Sequence, residues 1–470
     1  MPFDVYSQAG ADAAFATAAQ GALADSATQP GDLATVATTG AYADLTGKPT
    51  LGTAAATAST DYATAAQGAL ADTAVQAADL SFVSTPAPGR RGGKVILVGD
   101  SHVQGSSNNG TGSDWLATRN YPLGGGQLAW ALWLSQSRLT FWGNYGIGGE
   151  RTDQVYARRA AYLNTGADLA IVQMGTNDSR QAYTLAHTQQ YYALTVEALL
   201  DAGMDVILVG VPPCVDGQDG QDQRNAWIAA YASRMRLPFV DSFSPVVDTA
   251  TRAIATAYNG DGVHLNGLGA KVTGQKVADA IGRLYAPVEG LVAASNADAT
   301  NILSNALGLT DSTSDGIPDG WSTLGAPTGG TATHTLETVT GWTGKAFAVE
   351  MVTNTNPRQL YFSSLLASGK YAPGDRMRAA VRVKTTGSLS EVQARVEFPS
   401  ATGGRTLARF LQCKGANIDD GLASVEFVVP PSLSSLAFYL YVGTGTGKAW
   451  FGQPTLTNLT ALGITDGPEG

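Results

Sequence analysis

From Lys94 to Tyr285 the chain alternates short, continuously apolar runs with segments of helical periodicity. This alternation constrains the fold more than any other feature of the 470 residues. KVILVGD (94–100), LTFWGNYGI (139–147), DLAIVQMG (168–175), DVILVGVP (205–212) and LPFVDSF (237–243) read as buried strands. Between them QLAWALWLSQS, QVYARRAAYL and HTQQYYALTVEALLDAG carry a helical period, and a last helix is expected over 267–285. Parallel strands need crossovers long enough to hold a helix, and those helices cover both faces of the sheet. An α/β domain with a parallel sheet is therefore expected over 89–287.

The flanks read differently. SFVSTPAPGRRGG (81–93) breaks the pattern with Pro and Gly and marks a boundary. Residues 1–88 are rich in Ala, Thr and Gly, and ATAAQGALADSA (16–27) returns as ATAAQGALADTA (63–74) with one change. This segment holds too few large apolar residues to fold alone as a compact monomer. It reads either as a flexible linker or as a segment that winds around copies of itself. It contains eight Asp and one Lys (Lys48), with no Glu or Arg, and so carries most of the chain's net charge of −10. No basic stripe supports nucleic-acid binding. MPFDVYSQAG lacks the features of a signal peptide, and no apolar run is long enough to insert in a membrane. Cys214 and Cys413 fall in different predicted domains, which argues against a disulfide framework. Beyond 288 the runs KAFAVEMV, RMRAAVRVKT, EVQARVEF, SVEFVV and LAFYLYVG alternate between turn clusters, so 288–470 is expected to be an antiparallel β-sandwich.

In VILVGDSHVQG, Ser101 follows the first strand directly. Open α/β sheets place ligands at the carboxyl ends of their strands. A helix beginning after Ser101 leaves its N–H able to bind an anion. Alone, Gly-Asp-Ser reads equally as a turn. In DGVHLNGLGA (261–270), Asp261 precedes His264 by three residues. One helical turn would set the carboxylate beside the imidazole, fixing its tautomer, and a serine hydroxyl needs such a base. Of the other histidines, His187 lies in a predicted surface helix, His334 in the β region, and His102 beside Ser101. In GTNDSR (175–180), Asn177 stands at a strand end, where it either aims its amide at a developing oxyanion or forms an Asx turn or helix cap. In NYGIGGERT (144–152), Gly149 lets a backbone N–H approach substrate. Each oxyanion donor is worth on the order of 10²–10³ in rate.

These four elements, in this order, resemble the SGNH hydrolases, the GDSL esterase superfamily. Ser101, Gly149, Asn177 and His264 match the four blocks, and Asp261 matches the triad acid. The resemblance implies a flavodoxin-like three-layer α/β/α sandwich. It also implies an oxyanion hole made by the N–H groups of Ser101 and Gly149 and the side chain of Asn177. His102 stands where many members carry leucine; GDSH variants occur in carbohydrate-directed members, which turns the expectation away from a lipase-like acyl pocket. Asp100 and Asp178 are expected to brace the loops holding Ser101 and Asn177. The stretch YADLTGKPTLGTAA with its flanking repeats looks like shaft segments of bacteriophage tail fibres and tailspikes. NILSNALGLTDSTSDGIPDGW and the β-run after it resemble the start of jelly-roll carbohydrate-binding modules.

The polar loops 103–126 and 212–227 are expected to rim the site, with Trp115, Arg119, Tyr121 and Trp227 as candidate sugar contacts. The two tryptophans read equally as core residues. Asp311, Asp315 and Asp319 recur at intervals of four, as a Ca²⁺ site of hard oxygen ligands or as a solvated turn. No cofactor is expected to be required. The combined expectation is a homotrimeric tail fibre or tailspike on a virion, attached to phage tail or baseplate proteins through its N-terminus. It would deacylate bacterial capsular or O-antigen polysaccharide. The alternatives are a non-catalytic receptor-binding protein and a secreted bacterial carbohydrate esterase.

Overall fold

A computed structural model describes residues 92–107, 126–215, 218–362, 369–399, 405–430 and 436–464. The repeat-bearing segment 1–88, with the shaft expected there, lies outside the described residues. Those described fall within one compact unit, Ser81–Gly470.

The five apolar runs become β1 (Lys94–Gly99), β2 (Thr140–Gly146), β3 (Leu169–Gln173), β4 (Asp205–Val209) and the two-residue β5 (Phe239–Val240). They form one parallel sheet in the order β2-β1-β3-β4-β5. This is the doubly wound order, with its switch point between β1 and β3. Side chains alternate across the strands and split the interior into two cores. Ile96, Val98, Ala170, Val172 and Leu208 pack on one side. There they meet α3 (Thr152–Ala157), α4 (Ala160–Leu163), α6 (Leu185–Asp201) and α7 (Gln218–Met235). Val95, Leu97, Leu169, Ile171 and Val209 pack on the other side, against α1 (Ser101–Gln104), α2 (Gln127–Leu134) and α8 (Gly267–Leu284). The fifth short helix, α5 (Thr176–Arg180), follows β3.

The C-terminal part is antiparallel, as its alternating runs predict. β6 (Ser322–Leu324), β7 (Thr331–Glu337), β8 (Ala346–Asn354), β9 (Arg358–Phe362) and β10 (Arg376–Leu389) begin it. β11 (Val392–Pro399), β12 (Arg405–Cys413), β13 (Gly421–Val428), β14 (Ala437–Val442) and β15 (Gly445–Asn458) complete it. The strand orders are β13-β10-β15-β8-β7 and β12-β11-β14-β9-β6. Phe347, Phe410, Phe438 and Phe451 fill the core of this region, with Trp321 packed edge-on against Phe347 and Phe438.

The two parts share apolar surface. Every residue of α2 from Gln127 to Trp133 is buried, as expected for a helix covered all round. Leu128, Ala131 and Leu132 face the sheet, whereas Ala129, Trp130 and Trp133 join the core of the β region. Trp133 donates its indole N–H to the Phe410 carbonyl at 3.1 Å, and Ser137 donates to Leu422 O at 2.7 Å. At the start of α8, a Cβ on Gly267 would collide with the Lys414 carbonyl, so glycine permits the close approach of the β12–β13 connection. The predicted border at 287/288 is thus a change of texture along the chain, not a gap in packing. Cys214 and Cys413 are both buried and form no disulfide. Among the described residues no helix is long and apolar enough to cross a membrane.

Candidate active site

Ser101 is the first residue of α1, immediately beyond β1. The turn is tight: a Cβ on Gly99 would strike the Gln173 carbonyl of β3, so glycine is required at that position. Asp100 caps α1 by accepting the His102 N–H at 3.0 Å. Ser101 therefore occupies the helix position whose N–H has no acceptor within the helix.

From the far end of the domain His264 reaches across. Its Nε2 lies 2.8 Å from Ser101 Oγ, and its Nδ1 lies 2.8 Å from Asp261 Oδ2. The three residues form one hydrogen-bonded line, the geometry needed to withdraw the serine proton. The Asp261–His264 approach does not come from the helical turn expected from the spacing. Asp261 Oδ1 accepts the N–H groups of Val263 (3.0 Å) and His264 (2.7 Å), which folds 261–264 into a side-chain-closed bend. Helix α8 starts only at Gly267, capped by Asn266 through the Leu268 and Gly269 N–H groups. Burial acts to raise the Asp261 pKa, but the hydrogen bonds from the His264 ring and from the His264 and Val263 N–H groups outweigh it and hold it at about 2. The carboxylate is ionised throughout the neutral range.

Gly149 lies in the turn after β2 and Asn177 in α5; a Cβ on Gly148, next to Gly149, would come within 3.8 Å of Ser101 Cβ. Gly149 has φ +81° and open space where a side chain would be. Asn177, 4% exposed, spends one amide N–H on the Glu150 carbonyl at 2.9 Å. That Nδ2 carries a second hydrogen. Gln181 donates to the Gly149 carbonyl at 3.2 Å. The fully buried Asp178 ties this side together by accepting the Thr152 N–H (2.9 Å) and the hydroxyls of Thr152 (2.6 Å) and Thr188 (3.1 Å). Arg158, which the sequence did not single out, pairs with Glu150 at 2.6 Å and donates to the Gly99 and Tyr145 carbonyls. It links the nucleophile turn to the Gly149 loop. Its pattern in the sequence, a basic residue in a helical run, gave no signal of that task.

A pocket of about 80 Å³ opens beside Ser101 and His264, between α1 and the first turns of α2 and α8. His102 and Gln127 contribute its polar lining; Leu265 and Ala270 are also part of the wall. The His102 ring lies 5.1 Å from the His264 ring, centroid to centroid. Burial, reinforced by His264, pushes the His102 pKa down to about 3, so this ring is neutral at working pH. Burial pushes Asp100 up to about 7, against the hydrogen bond from His102.

Three of the four candidate sugar contacts, Trp115, Arg119 and Tyr121, lie outside the described residues. The fourth is corrected. Trp227 is half-buried in the packing of α7 on α6, stacked on Tyr231 at 5.0 Å and edge-on to Tyr192 at 5.8 Å. Its place one helical turn from Tyr231 commits its ring to the interior. The Ca²⁺ reading of Asp311, Asp315 and Asp319 is corrected as well. Asp311 accepts the Gly316 N–H, Asp315 the Ile317 N–H, and Asp319 both the N–H and the hydroxyl of Ser312. Their carboxylates close local turns and do not converge on a point. Among the described residues no group of three acidic, His or Cys side chains could hold a metal.

Residues 97–272 match the GDSL-like lipase/acylhydrolase family. No curated protein matches the chain. Among solved structures, a GDSL-like lipase from Bacteroides thetaiotaomicron is similar at 22% identity, covering 44% of this chain and 95% of that one, with a TM-score of 0.33. A lipase/acylhydrolase from Enterococcus faecalis is similar at 18% identity, over 41% of this chain and 96% of that one, with a TM-score of 0.31. The enzymatically active domain of bacteriophage CBA120 tailspike protein 4 is similar at 15% identity, over 37% of this chain and 22% of that one, with a TM-score of 0.27. The family match supports esterase activity, and with it residues 97–272 are identified as a GDSL/SGNH hydrolase domain within the longer chain.

Proposed function

We propose that the chain is a serine esterase that removes acetyl or other small acyl groups from bacterial surface polysaccharide, as part of a phage tail fibre or tailspike. The observation that carries the reaction is the line Ser101 Oγ–His264 Nε2–Asp261, two contacts of 2.8 Å each. His264 takes the Ser101 proton as Oγ attacks the ester carbonyl, and the oxyanion is received by the N–H groups of Ser101 and Gly149 and by the Asn177 amide. His264 then returns the proton to the departing alcohol, and water releases the acyl group by the same steps in reverse. No metal or cofactor enters this scheme.

The Gln127 and His102 side chains in the wall of the pocket beside His264 support an alcohol half that bears hydroxyl groups. The reading of the tail protein rests on the repeat within 1–88 and its likeness to shaft segments. On the same reading the chain is a homotrimer that meets tail or baseplate proteins through its N-terminus, and its β region is a carbohydrate-binding jelly roll. The test is acetate release from O-acetylated capsule or O-antigen by the protein and by Ser101→Ala. Release by the protein alone is expected; equal release from both would remove the mechanism. Binding to the polysaccharide without release would favour a receptor-binding protein with an inert hydrolase fold.

A further inference from the structure

Two residues that line the pocket beside Ser101 each carry a buried polar atom with no partner among the described residues. One is Gln127 Oε1, on a residue 3% exposed; the other is His102 Nε2, on a residue 7% exposed. A chain of hydrogen bonds fixes the orientation of the Gln127 amide. The Gly210 carbonyl can only accept, and it takes the Gln173 Nε2 at 2.8 Å. Gln173 therefore turns Oε1 toward Gln127, which donates its Nε2. The Gln127 oxygen is what remains, an acceptor that calls for a donor. Leaving such an atom buried and unmet is costly, because its water is lost and nothing replaces it.

The neutral His102 ring supplies one N–H and one lone pair, so it can serve a hydroxyl group in either sense. An alkyl chain in this pocket would leave both atoms unmet. An anion would meet the Gln127 acceptor without a proton to give it. A hydroxyl satisfies both. The position of the pocket says which half of the ester supplies it. Gly149 and Asn177 lie on connections that lead to α3 and α6, on one face of the sheet, whereas the pocket opens among α1, α2 and α8 on the other. It adjoins His264, the group that protonates the leaving alcohol.

We propose that the pocket between α1, α2 and α8 is a hydroxyl-binding subsite for the alcohol half of the ester, with Gln127 Oε1 and the His102 ring as its hydrogen-bonding partners. This rests on the esterase reading but not on any particular polysaccharide.

The experiment compares kcat/KM for a monoacetylated glucose and for cyclohexyl acetate, which share an acyl group and ring size and differ in hydroxyls. The comparison is made in the full chain and in His102→Leu and Gln127→Met. The unmodified protein is expected to favour the sugar ester, and each variant to lower the sugar-to-cyclohexyl ratio about tenfold, the scale of one buried hydrogen bond. Ser101-dependent hydrolysis with no preference for the sugar ester, or with a ratio unchanged in folded variants, would overturn the subsite alone. Absence of any Ser101-dependent hydrolysis would overturn the esterase reading and the subsite with it. The ratio in the unmodified protein decides the matter even where a variant fails to fold.

Discussion

The two sides of Ser101 are built by opposite means. On the Asn177 side the organising carboxylate, Asp178, has a side chain with no exposure and holds three partners that belong to α3 and α6. On the base side, the Asp261 and His264 side chains are 58% and 41% exposed, and the bend that joins them is closed by Asp261 itself. A buried carboxylate makes its bonds in a low dielectric and anchors structure. An exposed one is screened and contributes chiefly orientation and charge to its histidine. The site thus separates a buried, hydrogen-bonded carboxylate from an exposed one; in the proposed mechanism the first braces the oxyanion loops and the second serves the base. The approach of the β12–β13 connection to Gly267 places part of the C-terminal region three residues from that base.

This contrast is open to direct tests. The largest effect is expected from His264→Ala, which removes the proposed base for the serine proton and should lower kcat/KM for p-nitrophenyl acetate by roughly 10⁴ or more. Asn177→Ala should lower it by roughly 10²–10³, mainly in kcat, the cost of one oxyanion donor. A change in KM alone would show that Asn177 acts before the oxyanion forms.

The stability pair tests the comparison itself. Asp178→Ala leaves buried donors on Thr152 and Thr188 unmet and should cost about 2–4 kcal/mol in denaturant unfolding. Asp261→Ala should cost about 1 kcal/mol or less, because its partners reach water. Equal costs would dissolve the distinction between the two sides.

The last test concerns pH. The folded pKa of Asp100, about 7, lies above its ordinary value of 3.8, because burial favours the protonated form. The folded state binds this proton more tightly, so its contribution to stability is complete below about pH 4 and is lost as pH rises through 7. Asp100→Asn should remove that loss, and the difference between the two proteins should grow from pH 4 to pH 7. Comparing the variant with its parent separates Asp100 from His102, whose lowered pKa tilts stability the other way over pH 3 to 6.5.

Much of this arrangement is legible in the sequence, for reasons that also mark where legibility stops. The strands were readable because a parallel sheet buried on both faces needs unbroken apolar runs, and VILVG and LAIVQ are such runs. The triad was readable because Ser101, Asp261 and His264 each stand beside a strand end or helix start, where local motif and position coincide. Trp227 was not, because in a helix an aromatic ring on the inward face and one on a binding face follow the same period. The Asp311–Asp319 spacing suggested ligands because intervals along the chain do not say that each carboxylate closes its own turn. The relay from Gly210 through Gln173 to Gln127 joins three elements far apart in the chain, and no local pattern encodes it. The double duty of α2 shows only as a helix without a polar face, which the sequence records but cannot assign to a second partner.

The central claim is that Ser101 is a nucleophile activated by His264. The most direct test is to treat the protein with a fluorophosphonate ester and locate the adduct by peptide mass spectrometry. The account predicts a single stoichiometric adduct on Ser101, absent from Ser101→Ala and formed far more slowly in His264→Ala. Labelling at another residue, or no labelling while the protein remains folded, would contradict it.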